Sequence, residues 1–234
     1  MISRVCLVTG GNRGIGFALC TKLKDLGHVV ILAARDKKKG QAVAKKLGVH
    51  FCLLDVTNEK SRLRCQKFIE QKFGRLDVLI NNAGVFLDNV DPEVYETSAF
   101  QTTLAILRKT MDVNTYAAFR LCQLFIPLMI QNKYGRIVNV SSRFGQLSTM
   151  EGGDAAYRIS KTALNAVTRI FAAEIKNENI LINSVHPGWV RTEMGGTKAP
   201  LTPQQGAETI VWAALLPDGG SSGKFFSEKK EIGW

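Results

Sequence analysis

Metal-ligating and cross-linking residues are scarce in this chain of 234 residues. Its three histidines, His28, His50 and His186, show no ligand spacing among themselves or with the cysteines, so no metal site is expected. The five cysteines, Cys6, Cys20, Cys52, Cys65 and Cys122, never form a CxxC pair. Scattered and odd in number, they fit buried free thiols in a reducing, cytoplasmic setting rather than a disulfide framework. No apolar run approaches the length of a membrane span. Residues 2–8 already read as a strand, so no removable secretory leader is expected. Carboxylates are also few: 20 against 31 Lys and Arg, a net charge of +11. The basic residues are dispersed, with Lys37-Lys38-Lys39 the one run and no aromatic-rich RNA motif beside them. This argues against nucleic-acid binding and suits collection of a small anion. Internal repeats, low-complexity tracts and Pro/Gly/Ser linkers are missing too, so residues 1–234 are expected to form a single domain.

What is present is an alternation. Short apolar runs at residues 5–8, 29–34, 51–54, 76–80, 137–140 and 180–185 are separated by stretches of helical spacing. The longest of these are 100–131 and 155–175. Apolar strands between helical patterns predict βαβ units: an α/β chain with a doubly wound, Rossmann-type parallel sheet and helices on both faces. Pro127 falls inside the longer helical stretch and is expected to kink or end it. Pro92, Pro187, Pro200, Pro203 and Pro217 are expected to punctuate loops or helix starts.

The first strand runs into Thr9-Gly10-Gly11-Asn12-Arg13-Gly14-Ile15-Gly16, and a helix follows. Glycines there let the chain turn sharply and bring backbone N–H groups against a pyrophosphate, which the helix N-terminus attracts. The second strand ends in Ala33-Ala34-Arg35. An NAD-preferring fold of this kind carries an acidic residue at that place. Here Arg35, with Arg13 on the turn, offers two guanidinium forks for an extra phosphate, as on NADP. Asp36 is expected to cap the next helix instead.

Tyr157 and Lys161 stand at i and i+4 on one helix face. A phenol with a pKa near ~10 exchanges protons poorly at neutral pH, and a nearby positive charge favours the phenolate. The pattern suits a general acid/base. Ser141-Ser142 closes an apolar strand at its carboxyl end, where open α/β sheets hold ligands. The two hydroxyls should face opposite ways, so one can meet a substrate carbonyl while the other satisfies backbone. Asn81-Asn82-Ala83-Gly84 and His186-Pro187-Gly188 close two further strands. Asn114 lies within the long helical stretch.

Taken together and in this order, TGxxxGxG, NNAG, a helical Asn, a strand-end Ser, YxxxK and PG resemble the short-chain dehydrogenase/reductase family over the whole chain. The resemblance implies an oxidoreductase that moves a hydride between NADP(H) and a carbonyl. It assigns proton donation to Tyr157, and tyrosine tuning and nicotinamide-ribose binding to Lys161. Ser142 would position the carbonyl, and Asn114 would hold a water linking Lys161 to solvent. It places the cofactor along Gly10, Asn12, Arg13, Gly14, Ile15, Gly16, Arg35, Asp55, Val56, Asn82, Ala83, Gly84, Tyr157, Lys161, Pro187, Gly188, Val190 and Thr192. A substrate-side loop spans about 188–202. The segments around Trp189, Thr209 and Phe225 resemble the carbonyl reductases within the family, which carry a long insertion between the serine and the tyrosine. In this chain Ser142 and Tyr157 are close. Short-spaced members pair through their two long helices, which implies a homodimer or tetramer here.

The expected substrate is a small apolar carbonyl compound, because Phe86, Phe144, Leu147, Trp189 and Met194 fall in segments that border the family's pocket. Three other readings compete. A 3-oxoacyl-carrier-protein reductase would use the basic surface for an acidic carrier. A non-catalytic NADP sensor would usually have lost one of Asn114, Ser142, Tyr157 and Lys161. A methyltransferase would want an acidic residue near Arg35.

Overall fold

The computed structural model describes residues 2–88 and 97–234. Pro92 lies outside them. Among the described residues an eight-stranded sheet runs in the order β3-β2-β1-β4-β5-β6-β7-β8. Its strands are β1 (Val5–Thr9), β2 (Val29–Ala34), β3 (His50–Leu53), β4 (Val78–Asn81), β5 (Gly135–Val140), β6 (Ile180–His186), β7 (Phe225–Ser227) and β8 (Lys230–Ile232). All neighbours pair in parallel except β7 and β8, which form an antiparallel hairpin. β1, β4 and β5 are buried on both faces, which is why they read as continuous apolar runs rather than alternating ones.

The helices are α1 (Gly14–Asp25), α2 (Lys37–Leu47), α3 (Glu59–Phe73), α4 (Leu104–Met111), α5 (Ala117–Gln131), α6 (Ala155–Glu174) and α7 (Pro203–Ala214). They divide between the faces. One core layer joins Leu121, Phe125 and Met129 of α5 and Phe171 of α6 to the sheet; the other joins Leu19 and Leu23 of α1 and Ile210 of α7. The strand order reverses at β1/β4, so the carboxyl ends of β1, β2, β4 and β5 open onto one crevice.

Three expectations need correction. The long helical stretch starts at Leu104 rather than 100, behind a separate 3-10 turn at Ala99–Gln101, with Thr103 capping its first turn. Pro127 does not end α5, which continues to Gln131. Its ring faces solvent, so the carbonyl it leaves unpaired can take water. By length and mean hydropathy the rod Leu104–Gln131 could cross a membrane, contrary to the reading that no segment approaches that length. That window is 61% buried, and its apolar face builds one core layer.

Within the rod, Asp112–Tyr116 forms a π turn between α4 and α5. It carries buried Asn114 and Thr115 against α6: Asn114 donates to Ser160 Oγ at 3.0 Å, and the Thr115 hydroxyl donates to the Ser160 carbonyl at 2.8 Å.

Candidate active site

A cavity of about 460 Å³ lies at the carboxyl edge of the sheet. One end is built from main chain. Gly14 has φ +51°, open to glycine at little cost, and a Cβ at Gly16 would collide with the Gly10 carbonyl oxygen. The Thr9 hydroxyl accepts from the N–H groups of Asn82 and Ala83 at 3.0 and 2.9 Å, and Asn82 Nδ2 donates to the Thr9 carbonyl at 2.8 Å. These bonds tie the turn after β1 to the turn after β4. Asn82 is thereby engaged with backbone even though it lines the cavity.

The start of α1 is the fit test for a dinucleotide. Helices α2, α3, α4 and α7 each begin under a side-chain cap, from Asp36, Asn58, Thr103 and Thr202. At α1, Arg13 stands at the N-cap and supplies no such bond, so the first N–H groups face the cavity as open donors. Arg35 lines the same wall, exposed beyond Ala34 at the end of β2. Arg13 forms an ion pair with Glu193, also on the cavity wall, a partner that no local pattern predicts. Asp55 forms a tight turn, accepting from Thr57 N at 2.9 Å and from its hydroxyl at 2.7 Å, beside Val56.

The other end is built from side chains. Tyr157, on the first turn of α6, keeps part of its surface open to the cavity. Phe86 and Phe144 pack against its ring, with centroids at 4.9 and 6.1 Å. Burial pushes its phenol up to about 12, against which a hydrogen bond from Ser142 pulls downward. Lys161 Nζ lies 5.5 Å from the ring centroid and donates to the Val140 carbonyl at 2.9 Å. Burial lowers the Lys161 ammonium to about 8.

The two serines do face opposite ways. Ser142 turns to the phenol and accepts from Phe144 N at 3.2 Å. Ser141 donates to Asn165 Oδ1 at 2.7 Å and so pins the strand end to α6. His186 closes β6 and accepts from the Arg143 main chain at 3.3 Å; burial, then the Arg143 charge, lower its pKa to about 4.

Most of the residues expected along the cofactor line this cavity: Gly10, Asn12, Arg13, Gly14, Ile15, Gly16, Arg35, Asp55, Val56, Asn82, Ala83, Gly84, Tyr157, Lys161, Pro187 and Thr192. Gly188 and Val190 do not; Val190 is buried and pairs with Leu201. Asn114 lies behind the wall, accepting from Val85 N at 2.8 Å and donating to Val85 O at 2.9 Å. Of the expected apolar lining, Met194 is on the wall, whereas Leu147 and Trp189 are surface residues, the indole donating to Gly195 O at 2.8 Å. Sequence reasoning missed Leu54, Thr57, Arg191 and Glu193 on the wall, whose types carry no pattern of their own.

Comparison with known proteins agrees with this geometry. The family model described as short chain dehydrogenase matches residues 4–201. Carbonyl reductase (NADPH) 1 of Rattus norvegicus is 33% identical over 282 aligned positions, covering 98% of this chain and 98% of the relative. The alignment is longer than this chain, so the relative carries inserted residues that this chain lacks. The NADPH-bound carbonyl reductase from chicken fatty liver superposes with a TM-score of 0.88 at 28% identity, covering 100% of both chains. Salutaridine reductase from Papaver somniferum superposes at 0.84 with 31% identity, covering 96% of this chain and 99% of that one. The chain belongs to the short-chain dehydrogenase family.

Proposed function

We propose that this protein is an NADPH-dependent carbonyl reductase acting on a small apolar aldehyde, ketone or quinone, with residues 1–234 working as one NADP-binding domain. The observation that carries the reading is a single cavity with an uncapped helix start and Arg35 at one end and Tyr157 with Lys161 at the other. When bound, NADPH supplies the hydride. The open N–H groups of α1 hold its pyrophosphate, and Arg35, aided by Arg13, holds the ribose phosphate. Ser142 orients the substrate carbonyl beside the phenol. Tyr157, kept protonated by its buried setting, donates its proton to the oxygen as negative charge develops there. Lys161 holds the nicotinamide ribose and places a positive charge next to the phenolate that proton transfer leaves. Asn114, fixed by Val85 and Ser160, is the route by which Lys161 regains contact with water.

Phe86 and Phe144, packed on the phenol, and Met194, on the cavity wall, favour an apolar substrate. The exposed Leu104, Tyr116 and Phe119 of the rod and Ile159 and Ile170 of α6 support pairing of two chains through these helices. The five buried free cysteines suit a reducing compartment such as the cytoplasm. The decisive experiment is a panel of free aldehydes, ketones and quinones with NADPH, followed at the nicotinamide absorbance. Turnover of free carbonyls is the expected result. Activity confined to carrier-bound 3-oxoacyl groups would replace this reading with the acyl-carrier one, and no turnover with intact NADPH binding would make the protein a sensor.

A further inference from the structure

The helix that carries the tyrosine begins in an unusual way. Its N-cap residue, Asp154, has a left-handed backbone, φ 44° and ψ 44°, and makes no side-chain cap bond. The cap comes from elsewhere in the chain. Asp88, buried at 1% exposure after the NNAG turn, accepts from Ala156 N at 2.7 Å through Oδ1 and from Tyr157 N at 2.9 Å through Oδ2. Both carboxylate oxygens are used, and one of them holds the tyrosine's own main chain. Asp88 is held in turn. The Thr97 hydroxyl donates to the Asp88 carbonyl at 2.8 Å, and the Thr97 main chain is tied to Asp154 in both directions, at 2.8 and 3.1 Å.

The same four-residue stretch, Val85 to Asp88, touches the other parts of the site. Val85 binds the Asn114 amide twice, and the Phe86 ring packs on the phenol. A carboxylate at a helix start is favoured by the helix dipole and by the unpaired N–H groups there. A cap drawn from the next residue would serve that purpose as well. A cap drawn from the segment that also holds Asn114 does something more, since it fixes Tyr157 relative to Asn114.

We propose that Asp88 is a positioning residue for proton transfer: it acts through Tyr157, setting where the phenol stands, without touching substrate or cofactor. This rests on Tyr157 being the acid, as read above. Asn at position 88 keeps one acceptor and turns an NH2 group toward an N–H, so Asp88→Asn breaks half of the cap at nearly constant volume. It should lower kcat by about ten- to a hundredfold, the cost of a misplaced reacting group. The NADPH dissociation constant, read by fluorescence titration, should stay within about twofold, because the cofactor cradle is built elsewhere. The deuterium isotope effect on kcat with 4-deuterated NADPH should rise, since chemistry becomes slower than product release.

An unchanged kcat, or a kcat that falls only in step with NADPH affinity, would overturn the proposal. If Asp88→Asn does not fold, Thr97→Val decides. It removes the hydroxyl that holds Asp88, and it should cut kcat by about threefold with NADPH binding intact; a folded Thr97→Val enzyme with wild-type kcat overturns the proposal equally. Tyr157→Phe run in parallel separates the two claims. An active Tyr157→Phe enzyme means that the site reading has failed, whereas an inactive one beside an active Asp88→Asn enzyme means that only the role of Asp88 has.

Discussion

Two helices point their first turns at the same cavity, and they are finished in opposite ways. Helix α1 begins with glycines, has no side-chain cap and leaves its N–H groups open. Helix α6 begins under a carboxylate brought from a loop well before it in the chain. The open end attracts an anion, and the closed end is already satisfied and holds a side chain still. The cofactor end of the cavity is thus shaped by main chain and fixed charge, while the catalytic end is shaped by side-chain contacts around one phenol. Binding and chemistry should therefore respond to different substitutions.

The sharpest test of that division is Tyr157→Phe, which should lower kcat by about a thousandfold, the middle of the range for losing a general acid. NADPH affinity, measured by fluorescence titration, should move by no more than about threefold, because one hydroxyl is lost and little volume. Substantial remaining turnover would break the comparison. Lys161 belongs to both ends, so Lys161→Ala should cost about a hundredfold in kcat and also weaken NADPH about tenfold, seen by titrating the same preparation. Arg35→Ala should act on binding alone. Its KM for NADPH should rise about tenfold, the worth of one charged hydrogen bond, with the KM for NADH nearly unchanged. Adding Ala34→Asp should turn the preference toward NADH. Equal use of both coenzymes by the unaltered enzyme would remove this claim and leave the catalytic one standing.

The smallest effect concerns stability. His186 titrates near 4 in the fold against 6.5 for a free imidazole, because burial disfavours its charged form. Below about pH 6.5 the unfolded chain binds this proton and the folded chain does not, so stability is full above that pH and is lost as pH falls toward about 4. Urea unfolding of His186→Gln should show a flatter acid limb in that window. His28 and His50 are lowered in the same direction, so the limb should not vanish.

Much of this was legible because it is local. The buried strands, the Gly10–Gly14–Gly16 turn and the Tyr157–Lys161 spacing are short patterns with one physical reading each, and the structure brings these residues to one cavity. The cap of α2 by Asp36 was equally local. The hairpin β7–β8 was not among the expected strands, since each strand is three residues long and leaves too little alternation to read. Asp88 was invisible for another reason. Its partners at Ala156 and Tyr157 lie 68 and 69 residues away, and no spacing rule links an aspartate to a helix that distant. The Arg13–Glu193 pair, 180 residues apart, was hidden in the same way. Pro127 does not end its helix, because a helical proline is costly where the carbonyl it leaves unpaired is dry, and here the ring faces water.

The π turn at Asp112–Tyr116 has a consequence for how the long rod tolerates change. Each residue added to or removed from a helix rotates everything beyond it by about 100°. The π turn carries one residue more than the α-helical path needs and absorbs it locally, so α4, which packs on α6, and α5, which packs on the sheet, keep the phase of an unbroken helix. Deleting one residue here would restore the α-helical path with Phe125 and Met129 still in their core layer, and would instead cost the bonds of Asn114 and Thr115 to Ser160. A single deletion between Asp112 and Tyr116 should therefore leave the rod folded and take Asn114 out of place, whereas a deletion inside α5 should turn its apolar face away from the sheet.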